Sequence, residues 1–227
     1  MLYNFFIMGS SILFFHNIMK FFNIENKLFE KYSVNMMRSL ICGTIANEAY
    51  NKYNYLWVDK CLDNQIIYND VKNFHYMFLS YFIFDTMIIW YQVYLHIEQN
   101  IRMDLLLHHL LAIFALLIID DKKIYGMTII IALSEGMTIV SGPKLLTMYY
   151  SNKYMTNIFI IYRLIYIVFI RILFIWPLLI YYYYIITNNC DGYKNDKNML
   201  LVIFLVILIF HADINWYYSG RKELARI

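Results

Sequence analysis

The sequence predicts an all-α protein: a multi-pass transmembrane helical bundle with about seven spans. Of its 227 residues, 61% are apolar and only 15% are charged. Soluble domains carry roughly 25% charged and 45–50% apolar residues, so the chain departs from them in both directions. Apolar stretches recur near the length of about 20 residues that a helix needs to cross about 30 Å of hydrocarbon. Period-2 alternation is absent, which disfavours a β-barrel.

The apolar stretches define each span in turn. The first, MLYNFFIMGSSILFFHNIMKFF, lacks a basic leader and a clear small-residue cleavage site, so we interpret it as a retained span and not a cleaved signal peptide. The predicted spans are 2–22, 34–50, 75–96, 104–119, 124–143, 157–187 and 199–219. The second is short and the fourth is only just long enough. The sixth is overlong, and we expect a tilt, a kink at Pro177 or a division into two helices.

The distribution of basic residues indicates an orientation. With seven spans, ten Lys and Arg residues fall on one side and seven on the other, a weak bias that favours a cytosolic carboxyl terminus. The closing SGRKELARI is interpreted as a basic tail that anchors this topology. The net charge of +3, with no basic stripe interleaved with aromatic residues, argues against nucleic acid as a partner.

Three cysteines are present: Cys42, Cys61 and Cys190. Because no Cys-x-x-Cys occurs, a structural zinc site is not expected. The predicted topology puts Cys61 and Cys190 on the same non-cytosolic side, where a disulfide can form. Unpaired thiols are our expectation, with the Cys61–Cys190 bridge as the alternative.

Polar residues inside the predicted spans indicate where function lies. A charge at mid-membrane costs about 2.5–3.5 kcal/mol on insertion scales, so it normally faces a partner or a wet cavity. In the third span Asp85 lies midway. At 100° per residue, Tyr81, Asp85, Gln92 and His96 fall within about 60° of one another. This polar stripe predicts that the helix borders the interior of the bundle.

The fourth span contains a histidine pair in DLLLHHLLAIFALLIID. Neighbours on a helix lie 100° apart, so His108 and His109 cannot point in the same direction. Asp104 precedes His108 by four residues, and we expect it to accept a hydrogen bond from that ring and fix its tautomer. The pattern favours one oriented base and one second reactant over a chelate.

The fifth and sixth spans each add an ionisable residue. Glu135 lies near the middle of the fifth span, beside the small residues Ser134, Thr138 and Ser141 that permit close helix contact. Arg171 lies near mid-depth in the sixth span. An arginine there requires an acidic partner, for which Asp85 and Glu135 are the candidates.

The alternative is that these groups have only a structural role, in which each polar contact between helices stabilises the bundle by roughly 1 kcal/mol. For Arg171 and its acidic partner, a structural role and a functional role are equally expected. Joining helices does not require two adjacent imidazoles, so the pair of His108 and His109 favours function. Six histidines with a single doublet do not match the several clusters of iron-dependent membrane hydroxylases. We therefore expect neither a metal nor a resident cofactor.

From about Ser33 to Gly220 the sequence resembles the TLC-domain family, which includes the ceramide synthases and the TRAM translocation-associated proteins. The resemblance is carried by Arg38, SYFIFD ending in Asp85, the doublet His108–His109, Ser134–Glu135, Arg171 followed by Pro177, and Trp216. It implies a bundle that encloses a membrane-embedded cavity, in the endoplasmic reticulum or a related endomembrane. It also implies the domain organisation: an amino-terminal span and connecting segment over 1–32, a TLC domain over 33–220, and the basic tail over 221–227.

The resemblance further implies that the histidine doublet carries acyl transfer from acyl-CoA to a sphingoid amine, as in ceramide synthases. The His-Asp-x-x-Asp element of those synthases is missing, however, since the corresponding region reads ALSEGMTIVSGPK. With Glu135 in this region, the chain resembles instead the non-synthase branch of the family, whose members are linked to membrane lipid composition.

Three functions follow as expectations. The first is a membrane protein that binds or modifies an acyl lipid and influences lipid composition. The second is an acyl-CoA-dependent N-acyltransferase, with acyl-CoA as co-substrate. The third is a TRAM-like helper of membrane-protein insertion. The expected site residues are His108, His109, Asp85, Asp104, Glu135 and Arg171. Membrane lipid is the expected partner, and homo-oligomerisation is left open.

Overall fold

The computed structural model describes residues 27–94, 103–191 and 199–226, and this part of the chain is helical with no strand. The all-α prediction is confirmed for these residues. The helices are α1 (Lys27–Lys52), α2 (Tyr55–Val58), α3 (Gln65–Tyr94), α4 (Met103–Lys122), α5 (Gly126–Tyr149), α6 (Lys153–Asn189) and α7 (Met199–Leu224).

Four of the described helices are long and apolar enough to cross a membrane. They correspond to the predicted spans 104–119, 124–143, 157–187 and 199–219, and they cover Met103–Lys122, Gly126–Tyr149, Lys153–Asn189 and Ile203–Leu224. The stretches 34–50 and 75–94 are helical, within α1 and α3, but these two helices do not meet this standard of length and hydropathy. The predicted span 2–22 lies outside the described residues. Within the described ranges four candidate spans are therefore present, and the expected number of about seven is not confirmed.

Short connections make consecutive helices neighbours. Helix α4 ends where Lys123 takes a left-handed conformation, with φ of 58°, and Ser151 does the same between α5 and α6, with φ of 54°. The side chain of Asn152 then caps α6 by accepting a hydrogen bond of 3.1 Å from Met155 N. Connections of three residues bring the next helix back along the last one, as in antiparallel bundles.

Helix α6 corresponds to the overlong sixth span, for which the sequence left open one helix or two. Its 37 residues form one continuous helix. Residues Tyr166–Ile175 form wider π-helical turns, and Pro177 follows directly at the start of the next α-helical segment. Since proline has no N–H to donate, a change of hydrogen-bond register just before it accommodates the residue without ending the helix.

Helix α5 tightens in the middle. Its segment Ser134–Val140 is a 3₁₀-helix between two α-helical parts. This segment packs on the π-helical part of α6, where Tyr166 Oη donates a 2.6 Å hydrogen bond to Leu133 O. Gly136 permits this approach, because an added Cβ would lie 2.3 Å from Tyr166 Oη. The irregular turns of α5 and α6 therefore support each other, and they place Glu135 inside the bundle.

The amino-terminal half of α1 lies very close to α5. Gly142 N donates to Ser39 Oγ at 2.6 Å, a hydrogen bond between the two helices. A Cβ at position 142 would lie 2.5 Å from Met36 Cα. Since backbone cannot move aside as a side chain can, glycine is required at this crossing.

The cysteines are paired differently from our expectation. Cys61 and Cys190 form a disulfide with a Cα–Cα distance of 5.5 Å, so the prediction of free thiols is wrong for these two. The sequence placed both cysteines on the same side of the predicted bundle, but it did not reveal that the loop after α2 and the end of α6 come into contact. Tyr182 Oη bonds Lys60 O at 3.1 Å beside the disulfide. Cys42 is a buried free thiol, and its sulfur lies 2.9 Å from Tyr81 Oη.

The close contact of α1 and α5 gives a first testable prediction. We expect Gly142→Ala to lower the free energy of unfolding by about 1–3 kcal/mol, because the methyl group forces the two backbones apart. Gly43→Ala is the matched control, since its Cβ would meet only the flexible side chain of Ile139 at 3.3 Å. Thermal unfolding in detergent measures both. Equal melting temperatures for the two variants would show that the crossing tolerates a side chain.

Candidate functional site

A cavity of about 140 Å³ lies inside the bundle, toward one end of the helices. Six helices contribute to its wall: α1, α3, α4, α5, α6 and α7. Four of the six predicted site residues line it, namely Asp85, His108, His109 and Glu135. Each of these side chains is buried. The ionisable groups therefore face a shared interior and not the surrounding hydrocarbon.

Asp85 on α3 is held from two directions. Arg38 on α1 donates from Nε to Asp85 Oδ1. On the other side, His109 Nε2 lies 3.5 Å from Asp85 Oδ2. The second ring nitrogen of His109 lies 3.4 Å from Thr86 Oγ1. One carboxylate thus connects helices α1, α3 and α4, and the polar stripe predicted on α3 faces the interior at Tyr81 and Asp85. The side chains of Gln92 and His96 lie outside the described residues.

His108 faces a different carboxylate. Its Nε2 lies 3.8 Å from Glu135 Oε1, while Ser134 and Thr138 donate long hydrogen bonds of 3.5 Å to the two oxygens of Glu135. The ring packs on Trp216, with 4.9 Å between centroids. The other nitrogen, Nδ1, has no hydrogen-bond partner among the described residues. Both histidines therefore reach a carboxylate, on different helices, as their 100° separation requires.

Asp104 does not have the expected relation to His108. Its carboxylate accepts a 3.1 Å hydrogen bond from Trp216 Nε1, and His108 Nδ1 donates no hydrogen bond to it. The reason is that Asp104 lies in the exposed first turn of α4, where the indole N–H of α7 needs an acceptor. Asp104 therefore acts on His108 indirectly, through Trp216, whose ring packs against the imidazole at a tilt of 56°.

Arg171 has a partner that the sequence reasoning missed. Neither Asp85 nor Glu135 pairs with it. Asp213 on α7 does, at 3.0 Å from Nη2 to Oδ1 and 3.1 Å from Nε to Oδ2. Trp176 Nε1 also donates to Asp213, at 2.8 Å. The sequence offered one signal for this partner, because Asp213 is an acidic residue inside the predicted last span, within FHADINW.

The guanidinium of Arg171 lies between two indoles. It is 5.7 Å from the ring centroid of Trp176 and 5.6 Å from that of Trp216, distances that permit cation–π attraction. Arg171 does not line the cavity, but Trp216 does. The Arg171–Asp213 pair is thus a support behind the cavity wall and not part of its lining. Arg38 and Trp216, which were not among the six expected site residues, also line the cavity.

The chemistry open to this arrangement is proton transfer. Each imidazole lies near a carboxylate that can orient the ring, an arrangement used by general bases. Among the described residues, no group of three or more His, Cys, Asp or Glu side chains is suited to hold a metal ion.

The buried pair of Arg171 and Asp213 gives a second prediction. We expect Arg171→Met to lower the free energy of unfolding by about 3–5 kcal/mol, because it leaves a carboxylate buried without its counter-charge. Asp213→Asn should act similarly while keeping an acceptor for Trp176. The double variant should lose less than the sum of the two single variants, as measured by denaturation in detergent. Additive losses would show that the two charges do not stabilise each other.

Among known proteins the chain has no match: no family model, no curated protein and no solved structure resembles it closely enough to be matched. The cavity and its chemistry are therefore the basis for assigning a function.

Proposed function

We propose that the chain is a membrane protein that binds an acyl lipid by its polar head group in this cavity, and thereby influences the lipid composition of the membrane. The proposal is supported by a coincidence: five of the residues that carry the resemblance to the TLC-domain family also line the cavity, namely Arg38, Asp85, His108, His109 and Glu135. The same resemblance suggests about seven spans, a TLC domain over 33–220 and residence in the endoplasmic reticulum or a related endomembrane.

One observation supports a ligand most directly. Two buried nitrogens of cavity-lining residues, Arg38 Nη2 and His108 Nδ1, have no hydrogen-bond partner within the described part of the chain. A buried donor without a partner costs about 1–3 kcal/mol, and more when it is charged. A ligand oxygen bound by Arg38 removes this cost.

The size of the cavity limits what it can hold. About 140 Å³ is room for roughly five waters at about 30 Å³ each, which suits a small head group and not an acyl chain. The chain of the lipid must then extend between the helices or along their apolar outer faces. Membrane-spanning helices with many exposed apolar side chains provide such faces on α4 and α6.

A lipid-binding test follows from the cavity. We expect Ser141→Leu to reduce the lipid that co-purifies with the protein by about tenfold, because loss of about 1.4 kcal/mol of binding changes the affinity tenfold. Ser141 lines the cavity and is half-buried. Ser219→Leu is the matched control, on an exposed position outside the lining. Native mass spectrometry measures the retained lipid. Equal retention in the two variants would contradict binding in the cavity.

The second candidate function is N-acyl transfer, and the unpartnered Nδ1 of His108 favours it. A general base needs one free nitrogen and a carboxylate that orients the ring, and His108 has both. In this reaction an amine nitrogen attacks the carbonyl carbon of an acyl-CoA thioester, and the imidazole takes the amine proton. The C–S bond then breaks, and the leaving thiolate receives the proton. The products are an amide and free CoA.

An activity assay separates the two candidates. The purified protein is reconstituted with acyl-CoA and a long-chain amine, and is compared with His108→Ala and His109→Ala. We expect a catalytic histidine to account for about 10²–10⁴-fold in rate. His211→Ala is the control, since that histidine is exposed and outside the cavity lining.

The outcomes distinguish all three functions expected from the sequence. Product that vanishes in the cavity variants but persists in His211→Ala supports acyl transfer. Lipid retained by every variant without any product supports binding alone. Neither lipid nor product would overturn the proposal and favour the TRAM-like helper of insertion.

A further inference from the structure

The guanidinium of Arg38 leaves one charged donor open in the cavity wall. Its Nε is bound to Asp85 Oδ1, and Asp85 Oδ2 lies 3.5 Å from His109 Nε2. The carboxylate is therefore divided between two partners, and Arg38 Nη2, which is buried, has no acceptor among residues 27–94, 103–191 and 199–226. A guanidinium is not deprotonated in proteins, so this position requires an oxygen acceptor from a ligand.

The imidazole of His108 leaves an open group of the opposite kind. Its Nε2 faces Glu135 Oε1 at 3.8 Å, and a carboxylate can only accept a hydrogen bond. In the neutral ring the proton therefore belongs on Nε2, and Nδ1 carries a lone pair. No donor to this buried nitrogen is found in the described helices. The cavity thus presents an open donor on α1 and an open acceptor on α4.

The charges around the cavity are balanced. Its described lining carries three cations and two carboxylates, namely Arg38, Lys144, Arg163, Asp85 and Glu135. A third carboxylate, that of Glu223, binds Lys144 at 2.9 Å. With neutral histidines, a charged head group would therefore add a charge that the wall does not match. Burying an unmatched charge is strongly unfavourable, so this balance favours an uncharged ligand.

Both carboxylates of the lining already have donors beside them. Asp85 accepts from Arg38, and the two oxygens of Glu135 accept long hydrogen bonds of 3.5 Å from Ser134 and Thr138. A cationic head group would have to displace these contacts to be neutralised. The open positions, and not the net charge, are therefore the features of the wall that select a ligand.

We infer that the lipid bound in this cavity has an uncharged head group that accepts a hydrogen bond from Arg38 Nη2 and donates one to His108 Nδ1. This inference rests on the proposed lipid-binding function and specifies its ligand. A diacylglycerol fits the description, because its free hydroxyl and neighbouring ester oxygens supply both a donor and acceptors without a charge. Phosphocholine does not fit, since it is doubly charged and has no hydrogen to donate.

A comparison of three lipids on the native chain tests the charge of the ligand. The purified protein in detergent is mixed with diacylglycerol, with phosphatidic acid or with a diacyl trimethylammonium lipid, all with the same acyl chains. Native mass spectrometry measures the bound fraction. We expect diacylglycerol to bind at least tenfold more tightly than either charged lipid, since each charged lipid brings a charge that the wall does not match.

The outcomes separate the inference from the function on which it rests. Equal or tighter binding of a charged lipid would overturn the inference and leave lipid binding in place. Failure of all three lipids to bind would contradict lipid binding, and the inference with it. This comparison needs no variant, so it decides the inference even where a substitution in the cavity prevents folding.

A methyl ether of diacylglycerol tests the role of His108. The ether keeps every acceptor oxygen and lacks the hydroxyl hydrogen. We expect it to bind the native chain about tenfold more weakly than diacylglycerol, the effect of one unsatisfied buried polar group. In His108→Phe, which keeps a ring against Trp216 but removes Nδ1, the two lipids should bind equally. His108→Asn should restore part of the difference, because its amide oxygen lies near the position of Nδ1.

The ratio of the two affinities is insensitive to partial misfolding, because both lipids are measured on the same sample. His211→Phe is the control, since that histidine is exposed and outside the cavity lining. It should keep the tenfold ratio of the native chain. A ratio that persists in His108→Phe would overturn the assignment of the donor contact to His108, because only a steric effect of the methyl group would then remain.

Arg38→Lys tests the acceptor contact. Lysine keeps a cation for Asp85 and removes Nη2. We expect diacylglycerol and its methyl ether to lose affinity by the same factor of about ten, so that their ratio stays as in the native chain. Undiminished affinity in a variant that melts at the native temperature would overturn the assignment of the ligand oxygen to Arg38.

Discussion

Charges inside an apolar helix bundle must be paired, and in this protein each pairing joins one helix to another. Asp85 binds Arg38 and lies beside His109, which connects α3 to α1 and α4. Glu135 faces His108, and Arg171 pairs with Asp213, so that α5 is joined to α4 and α6 to α7. The cost of a lone buried charge is several kcal/mol, so these contacts constrain how the helices can be arranged. The cavity is the space that remains where the pairs converge.

The irregular turns of α5 and α6 serve this arrangement. A regular α-helix would distribute residues 134–140 over a wider face, whereas the 3₁₀ turns tighten the segment and keep Glu135 within the interior. The freed carbonyl of Leu133 is satisfied by Tyr166 on the π-helical part of α6. Local departures from ideal helix geometry in two neighbouring helices are therefore coupled by one hydrogen bond, next to the candidate site.

The sequence predicts well those features that depend on local pattern. Apolar segments indicated the helices, and buried ionisable residues indicated the interior, because burial is costly for each such residue wherever it is. Pairing is different, since it depends on how helices are placed. Asp104 was assigned to His108 by sequence proximity, yet Trp216 from α7 donates to it. Arg171 pairs with Asp213, and Cys61 with Cys190. In both pairs the partners are far apart in the sequence, and the periodic pattern of apolar residues does not predict which distant residues meet.

The long separation of the two bridged cysteines has a consequence for how the protein is made. Cys61 and Cys190 are 129 residues apart, and a ribosome adds about 5–20 residues per second, so the first thiol waits roughly 6–26 s for its partner. During that interval the nascent chain lacks this link, and Cys61 is open to other thiols. An expression host that keeps thiols reduced would therefore deliver the protein without this covalent link.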